Sequence, residues 1–152
     1  MPIVFFALLL AALTGWQARR AIETRIAPNE IRERHLSANM LLWHQAAVSW
    51  RQSHPGYSGA IPNAALLLPA WYIPMAPWHS MVLGGALSTY ASALDGVQPN
   101  RLAAQLAVWT QDGVNAGLSL SGRVSPPDRP ALVPVPAGVP DGAAVLVTAI
   151  SP

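Results

Sequence analysis

The chain contains no cysteine, which excludes disulfides, thiolate metal centres and a cysteine nucleophile. It contains no lysine either, since all nine basic residues are arginine. A phosphate-binding loop of the GK[ST] kind is therefore unavailable, and Gly84-Gly85 is not one. Charge of both signs is scarce. Only 11% of the residues are charged, against about 25% in an average soluble domain. The pI of 9.7 rests on a surplus of two charges.

The acids that exist do not pair. Beyond position 55 they are Asp95, Asp112, Asp128 and Asp141, and three of these four precede glycine. Asp-Gly is turn chemistry, because both residues tolerate positive φ and the aspartate can bond its own backbone. No couple of carboxylates remains for general acid–base work. The histidines are His35, His44, His54 and His79; no H-x3-H or HExxH spacing joins them, so a zinc site is not expected. His35 and His44, nine apart, fall on opposite faces of a helix. His54 and His79 read as loop or interface residues. His79-Ser80 lacks a G-x-S-x-G elbow for a serine nucleophile. No cofactor site is implied. Five arginines between 19 and 34 are interleaved with Glu23, Glu30 and Glu33, leaving a net charge of +2 there. That is too weak a stripe to neutralise a run of phosphates, so nucleic acid is not an expected partner.

What the chain does have is apolar content, at 52% over 152 residues. The length suits one ordinary domain with a real core, and disorder is excluded for most of it. Part of the apolar surplus sits at the start, where residues 3–13 read IVFFALLLAAL. As a helix, residues 2–18 would rise roughly 25 Å at 1.5 Å each, a little under the ~30 Å hydrocarbon core. We read 1–18 as an uncleaved membrane anchor. Ile3, Val4, Phe5, Phe6, Leu8, Leu9, Leu10 and Leu13 would lie in lipid, and Trp16 at the interface. A cleaved signal peptide fits less well, because no basic segment precedes the run and no small-x-small site follows. A core helix fits least. Arg19 and Arg20 just after the run favour a cytoplasmic position for the rest of the chain.

Residues 19–54 read as a connecting helical segment and 55–152 as a globular head. Pro28 interrupts a first helix, Asn29 can cap a second, and no glycine or proline then occurs until Pro55-Gly56. The spacing predicts one long helix with a broad apolar face over Glu30–His54. Residues 55–77 are rich in glycine and proline and predict loops with short strands at Ala65–Leu68 and Trp71–Ile73. A strand or hairpin region follows around Gly84-Gly85. A second helix is predicted over Asn100–Gln111 behind Pro99, and a strand over Val114–Arg123. An exposed loop is predicted over 126–140, which holds six of the fifteen prolines, and a last strand over Ala143–Ile150. The fold class is α+β: a membrane helix, then a long helix packed on a mostly antiparallel sheet with a second helix.

Aromatic area is the other expenditure. Trp43 and Trp109 read as core. Trp71, Tyr72 and Trp78, on a proline-rich stretch, are balanced between core packing and contact with a partner.

Several segments together resemble the PilM family of type IVb (thin) pilus systems. These are the apolar leader ending near Gly15, RRAIETR and NMLLWHQAAVSW, and above all HPGYSGAIPNAALLLPAWY at 54–72, GGALSTY at 84–90 and PDGAAVLV at 140–147. The resemblance covers most of the chain. It implies a small, non-enzymatic inner-membrane component of the pilus assembly or pilin export apparatus, binding other pilus proteins. It also implies a periplasmic C-terminal domain, against the arginine signal. It implies no catalytic, cofactor or metal residue. Inner-membrane lipid is the second expected partner, and homo-oligomerisation stays open. A minor pilin or pseudopilin is the alternative. It would need a basic leader, a glycine cleavage site before the apolar helix and a glutamate five residues into it; Phe5 lies within the run, and Gly15 comes after it. An envelope enzyme is a further alternative, disfavoured by the missing acid pair.

Overall fold

The computed structural model describes residues 28–110, 114–125 and 133–150. The anchor residues Ile3 to Trp16 lie outside them, as does Asp112-Gly113. Two compact units divide the chain, Met1–Ile31 and Arg32–Pro152. The described part of the first unit is only the opening turn of a helix; the sheet and its core belong to the second.

Helix α1 spans Pro28–Ser53. Pro28 stands in its first turn, where a proline N–H is not needed; the first helix it was expected to interrupt lies outside the described residues. The helix runs on until the chain reaches Pro55 and Gly56, whose φ is +85°. Its inner stripe differs from the apolar face read from the sequence. Leu36, Met40, Trp43 and Ala47 are buried, and so are Ser37, His44 and Arg51. Ser37 Oγ donates to the Glu33 carbonyl at 2.8 Å, and Arg51 Nη1 to the His54 carbonyl at 3.0 Å. The second bond places a cation and a donor at the carbonyl end of the helix, where both are favourable.

After α1 come β1 (Gly59–Ala60), a 3-10 turn (Asn63–Ala65), β2 (Trp78–Leu83), β3 (Ala86–Ala91) and α2 (Pro99–Trp109). Then come β4 (Val114–Leu120), β5 (Arg123–Ser125), β6 (Val133–Pro134) and β7 (Ala144–Ala149). The strands form a seven-stranded sheet in the order β1-β2-β3-β7-β4-β5-β6, and every pair is antiparallel. The α+β reading and the antiparallel sheet with two helices hold. No helix among the described residues is long and apolar enough to cross a membrane.

Two local readings change. Ala65–Leu68 and Trp71–Ile73 are not strands; the backbone there turns, with Leu68 N donating to Leu66 O and Tyr72 N to Pro69 O. The strand predicted over Val114–Arg123 breaks at Ser121 and Gly122. Both have positive φ (+51° and +72°), so β4 and β5 form a tight hairpin. Gly84 and Gly85 do the same between β2 and β3, at +59° and +77°.

The period-two alternation sorts side chains to the two faces. On one face, Trp78, Val82, Leu87, Ala91, Ala116, Ala144 and Leu146 join α1 and the α2 residues Leu102, Ala103 and Leu106 in the main core. On the other, Tyr90, Val124, Val135, Val145 and Val147 form a second cluster, with Val133 and Val139 against it. Of the loop predicted over 126–140, residues 126–132 lie outside the described residues, and from Val133 on it is only partly exposed. Val133 and Pro134 pair as β6, and Val135 after them is buried, its N–H donating to the Gly122 carbonyl at 2.9 Å. Trp109, read as core, is 39% exposed at the end of α2. Gln98 occupies the N-cap of α2, and Pro99 stands in the first turn, near the helix start as expected.

Candidate functional site

The residues with the chemistry of a hydrolase meet, but inside the protein. Between α1 and the sheet, Trp43 Nε1 donates to Ser80 Oγ at 3.2 Å, and Ser80 Oγ lies 2.9 Å from Thr89 Oγ1. Thr89 Oγ1 lies 2.8 Å from His44 Nδ1, and His44 Nε2 lies 2.7 Å from Thr148 Oγ1. An indole can only donate. Run from that end, Ser80 donates to Thr89 and Thr89 to Nδ1, which leaves Nε2–H to donate to Thr148. This direction gives the Ser80 and Thr89 hydroxyl hydrogens an acceptor each. Burial pushes the His44 imidazole down to about 4, so the ring is neutral at physiological pH. Trp43, His44, Ser80 and Thr89 are all buried. Among the described residues no carboxylate bonds the imidazole, and the serine is buried. The chain of hydroxyls joins α1 to β2, β3 and β7, giving the polar groups of the helix–sheet seam their partners.

A second polar hub faces outward. Asn39, on α1, holds the segment before β2. Its Oδ1 accepts from Tyr72 OH at 2.8 Å, Met75 N at 3.0 Å and Trp78 Nε1 at 2.7 Å. Its Nδ2 donates to the Ile73 carbonyl at 2.8 Å. Burial pushes the Tyr72 phenol up to about 12, partly offset by its hydrogen-bonded neighbour Trp78. These bonds decide the fate of the three aromatics left open by the sequence. Trp78 is 1% exposed and belongs to the core, which corrects its candidacy for partner contact. Tyr72 is half-buried, its ring centroid 6.2 Å from that of Trp43. Trp71 is 70% exposed.

The same segment displays Ile73 at 76% exposure and Leu67 at 94%. Leu67 and Ala65 face α1 across a groove of about 330 Å³, whose other wall is Ala46, Ser49, Trp50, Ser53 and His54. Trp50 stacks on His54 with ring centroids 4.1 Å apart and meets Tyr57 edge-on at 4.8 Å. No Asp, Glu, Lys or Arg occurs between Arg51 and Asp95, and none lines this groove.

His79, read as a loop or interface residue, lies on β2 with its ring 5.6 Å from that of Tyr90. His54 is indeed at the end of α1, at the groove. Asp95-Gly96 and Asp141-Gly142 are turns, with φ of +68° and +80° at the glycines. Asp141 Oδ1 also accepts from Ser121 N at 2.8 Å, tying its turn to the β4–β5 hairpin. Among the described residues no three metal-ligating side chains stand together. Sequence reasoning missed Asn39, Trp50 and Leu67. Asn39 alone carried a signal, as a polar residue between buried positions of α1, four residues before Trp43.

A family model described as PilM matches residues 6–147. A crystal structure described as a pilM protein from Pseudomonas aeruginosa 2192 is 23% identical, with a TM-score of 0.44. The alignment covers 78% of this chain and 97% of that one. No curated protein matches.

Proposed function

The chain belongs to the PilM family, and from that membership we propose that it is a non-enzymatic component of the pilus assembly or pilin export apparatus. Its involvement in pilus biogenesis follows from the family. The finer reading is a scaffold held at the bacterial inner membrane by residues 3–16, with the head on the periplasmic side. The head binds other pilus machinery proteins through its groove between α1 and Leu67.

The observation that carries the scaffold reading is the groove itself. Trp50 and His54, the small residues Ala46, Ser49 and Ser53, and the protruding Leu67 line it, with no Asp, Glu, Lys or Arg among them. A partner's apolar side chains can enter it without stranding a charge, and an aromatic wall is the usual anchor of such contacts. The sealing of Ser80 and His44 supports a non-enzymatic role.

Ser49→Glu tests this. Ser49 is exposed on the groove wall, so the carboxylate can be accommodated by the fold. In a strain lacking the native chain, this variant is expected to accumulate normally but to fail to restore pili. Normal piliation would remove the groove from the mechanism. Protease access to a C-terminal tag in spheroplasts tests orientation, and protection of the tag would refute the periplasmic placement. An N-terminus shortened to a processed form would favour the pilin-like alternative.

A further inference from the structure

We propose that the loop between the 3-10 turn and β2 is a lipid-contacting element, inserting Trp71, Ile73 and Met75 into the interface of a bilayer. The inference rests on the reading that the chain is held at a membrane, and adds to it a second contact made by the head.

The exposure of these side chains is built, not incidental. Asn39 takes the carbonyl of Ile73 and the N–H of Met75, at 2.8 and 3.0 Å, so the backbone of two of the protruding residues is fastened to α1. Tyr72 turns inward to the same asparagine at 2.8 Å, while Trp71, Ile73 and Met75 remain outside. Pro69, Pro74 and Pro77 narrow the backbone choices further. Three large apolar side chains are thus presented in a preorganised loop, so little conformational entropy is lost when they are covered.

Charge and area then choose the occupant. The whole stretch between Arg51 and Asp95 carries no Asp, Glu, Lys or Arg. No charge needs to be desolvated when the loop enters an interface, and none repels an anionic headgroup. Tryptophan favours that depth, where its ring is apolar and its N–H stays wet. The three side chains offer on the order of 400 Å² of apolar surface, whereas a standard stable protein interface takes about 800 Å² from each partner. A second copy docked loop to loop would therefore be under-sized; a bilayer has no such minimum.

The absence of cysteine makes the test direct. Ile73→Cys and, on the end of β4, Leu120→Cys are labelled in the full chain with an environment-sensitive fluorophore. Each is added to phosphatidylcholine–phosphatidylglycerol vesicles and floated. The expected result is flotation of both, with a blue-shifted emission quenched by nitroxide-bearing lipids at position 73 only, insensitive to salt. Flotation without a shift at 73 overturns the loop contact while leaving the membrane reading intact. No flotation overturns both. A shift at 73 that tracks protein concentration and escapes the lipid quencher means self-association and overturns the proposal. So does equal quenching at 73 and 120.

Discussion

Acid should weaken this fold through one residue, His44. Its ring is buried between Thr89 and Thr148, at 2.8 and 2.7 Å, and is held neutral because burial lowers its pKa from 6.5 to about 4. The unfolded chain takes up the proton near pH 6.5, but the folded chain does not until about pH 4. The unfolded state therefore binds more protons in that window, and stability falls as pH falls. The contribution is complete above pH 6.5 and lost progressively toward pH 4. A shift of this size corresponds to about 3 kcal/mol, at ~1.4 kcal/mol per pKa unit. Urea unfolding monitored by circular dichroism at pH 7 and pH 4.5 measures most of it. The part that belongs to the imidazole is isolated by comparing the wild-type loss with that of His44→Gln. Glutamine can still donate and accept but does not titrate. The wild type is expected to lose about 2 kcal/mol more than the variant over this interval. If His44→Gln is too unstable to study, the imidazole can be titrated directly in the wild type by NMR. Parallel losses in the two proteins, or a ring that titrates near 6.5 in the folded state, would refute the account.

Other consequences of the packing can be measured alongside. Asn39→Ala leaves the buried Trp78 indole without its acceptor and frees the loop backbone; about 2–4 kcal/mol of stability should be lost, with faster amide exchange at Met75, and unchanged exchange there would show that the asparagine does not fasten the loop. Leu146→Ala, at a fully buried site on β7, should cost about 2–5 kcal/mol in denaturant unfolding. Ser121→Asn should stabilise by about 0.5 kcal/mol, because asparagine before glycine suits the two positive φ angles of that hairpin; a lowered urea midpoint would contradict this.

The periodic elements were legible because their causes are local. The absence of proline and glycine between Asn29 and His54 marks α1. Gly84-Gly85 marks a hairpin, and the apolar run AAVLVTAI marks β7. The misreadings came where neighbours in space outvote neighbours in sequence. The proline-rich 133–140 stretch looks solvent-exposed in isolation, yet Val133, Val135 and Val139 find apolar partners on the second face of the sheet. Trp109 has the spacing of a core residue, but it falls at the last residue of α2, where the helix ends.

By itself, the sequence determined the class of the protein. The absence of cysteine removes thiol chemistry and the absence of lysine removes a GK[ST] phosphate loop, while three of the four acids beyond position 55 stand before glycine, as turn residues do. Those exclusions hold whatever the fold, because a missing functional group cannot be supplied by packing. Only the tertiary structure decided how the remaining groups are used. Ser80, Thr89 and Thr148 lie on separate strands, and their meeting with His44 depends on register and on the seat of α1. Whether Trp71 or Trp78 faces solvent was undecidable from composition, since both are tryptophans on one proline-rich segment. One asparagine on a helix more than thirty residues upstream turns Trp78 inward and leaves Trp71 outside. Exposure belongs to the packed chain, and no window of sequence contains it.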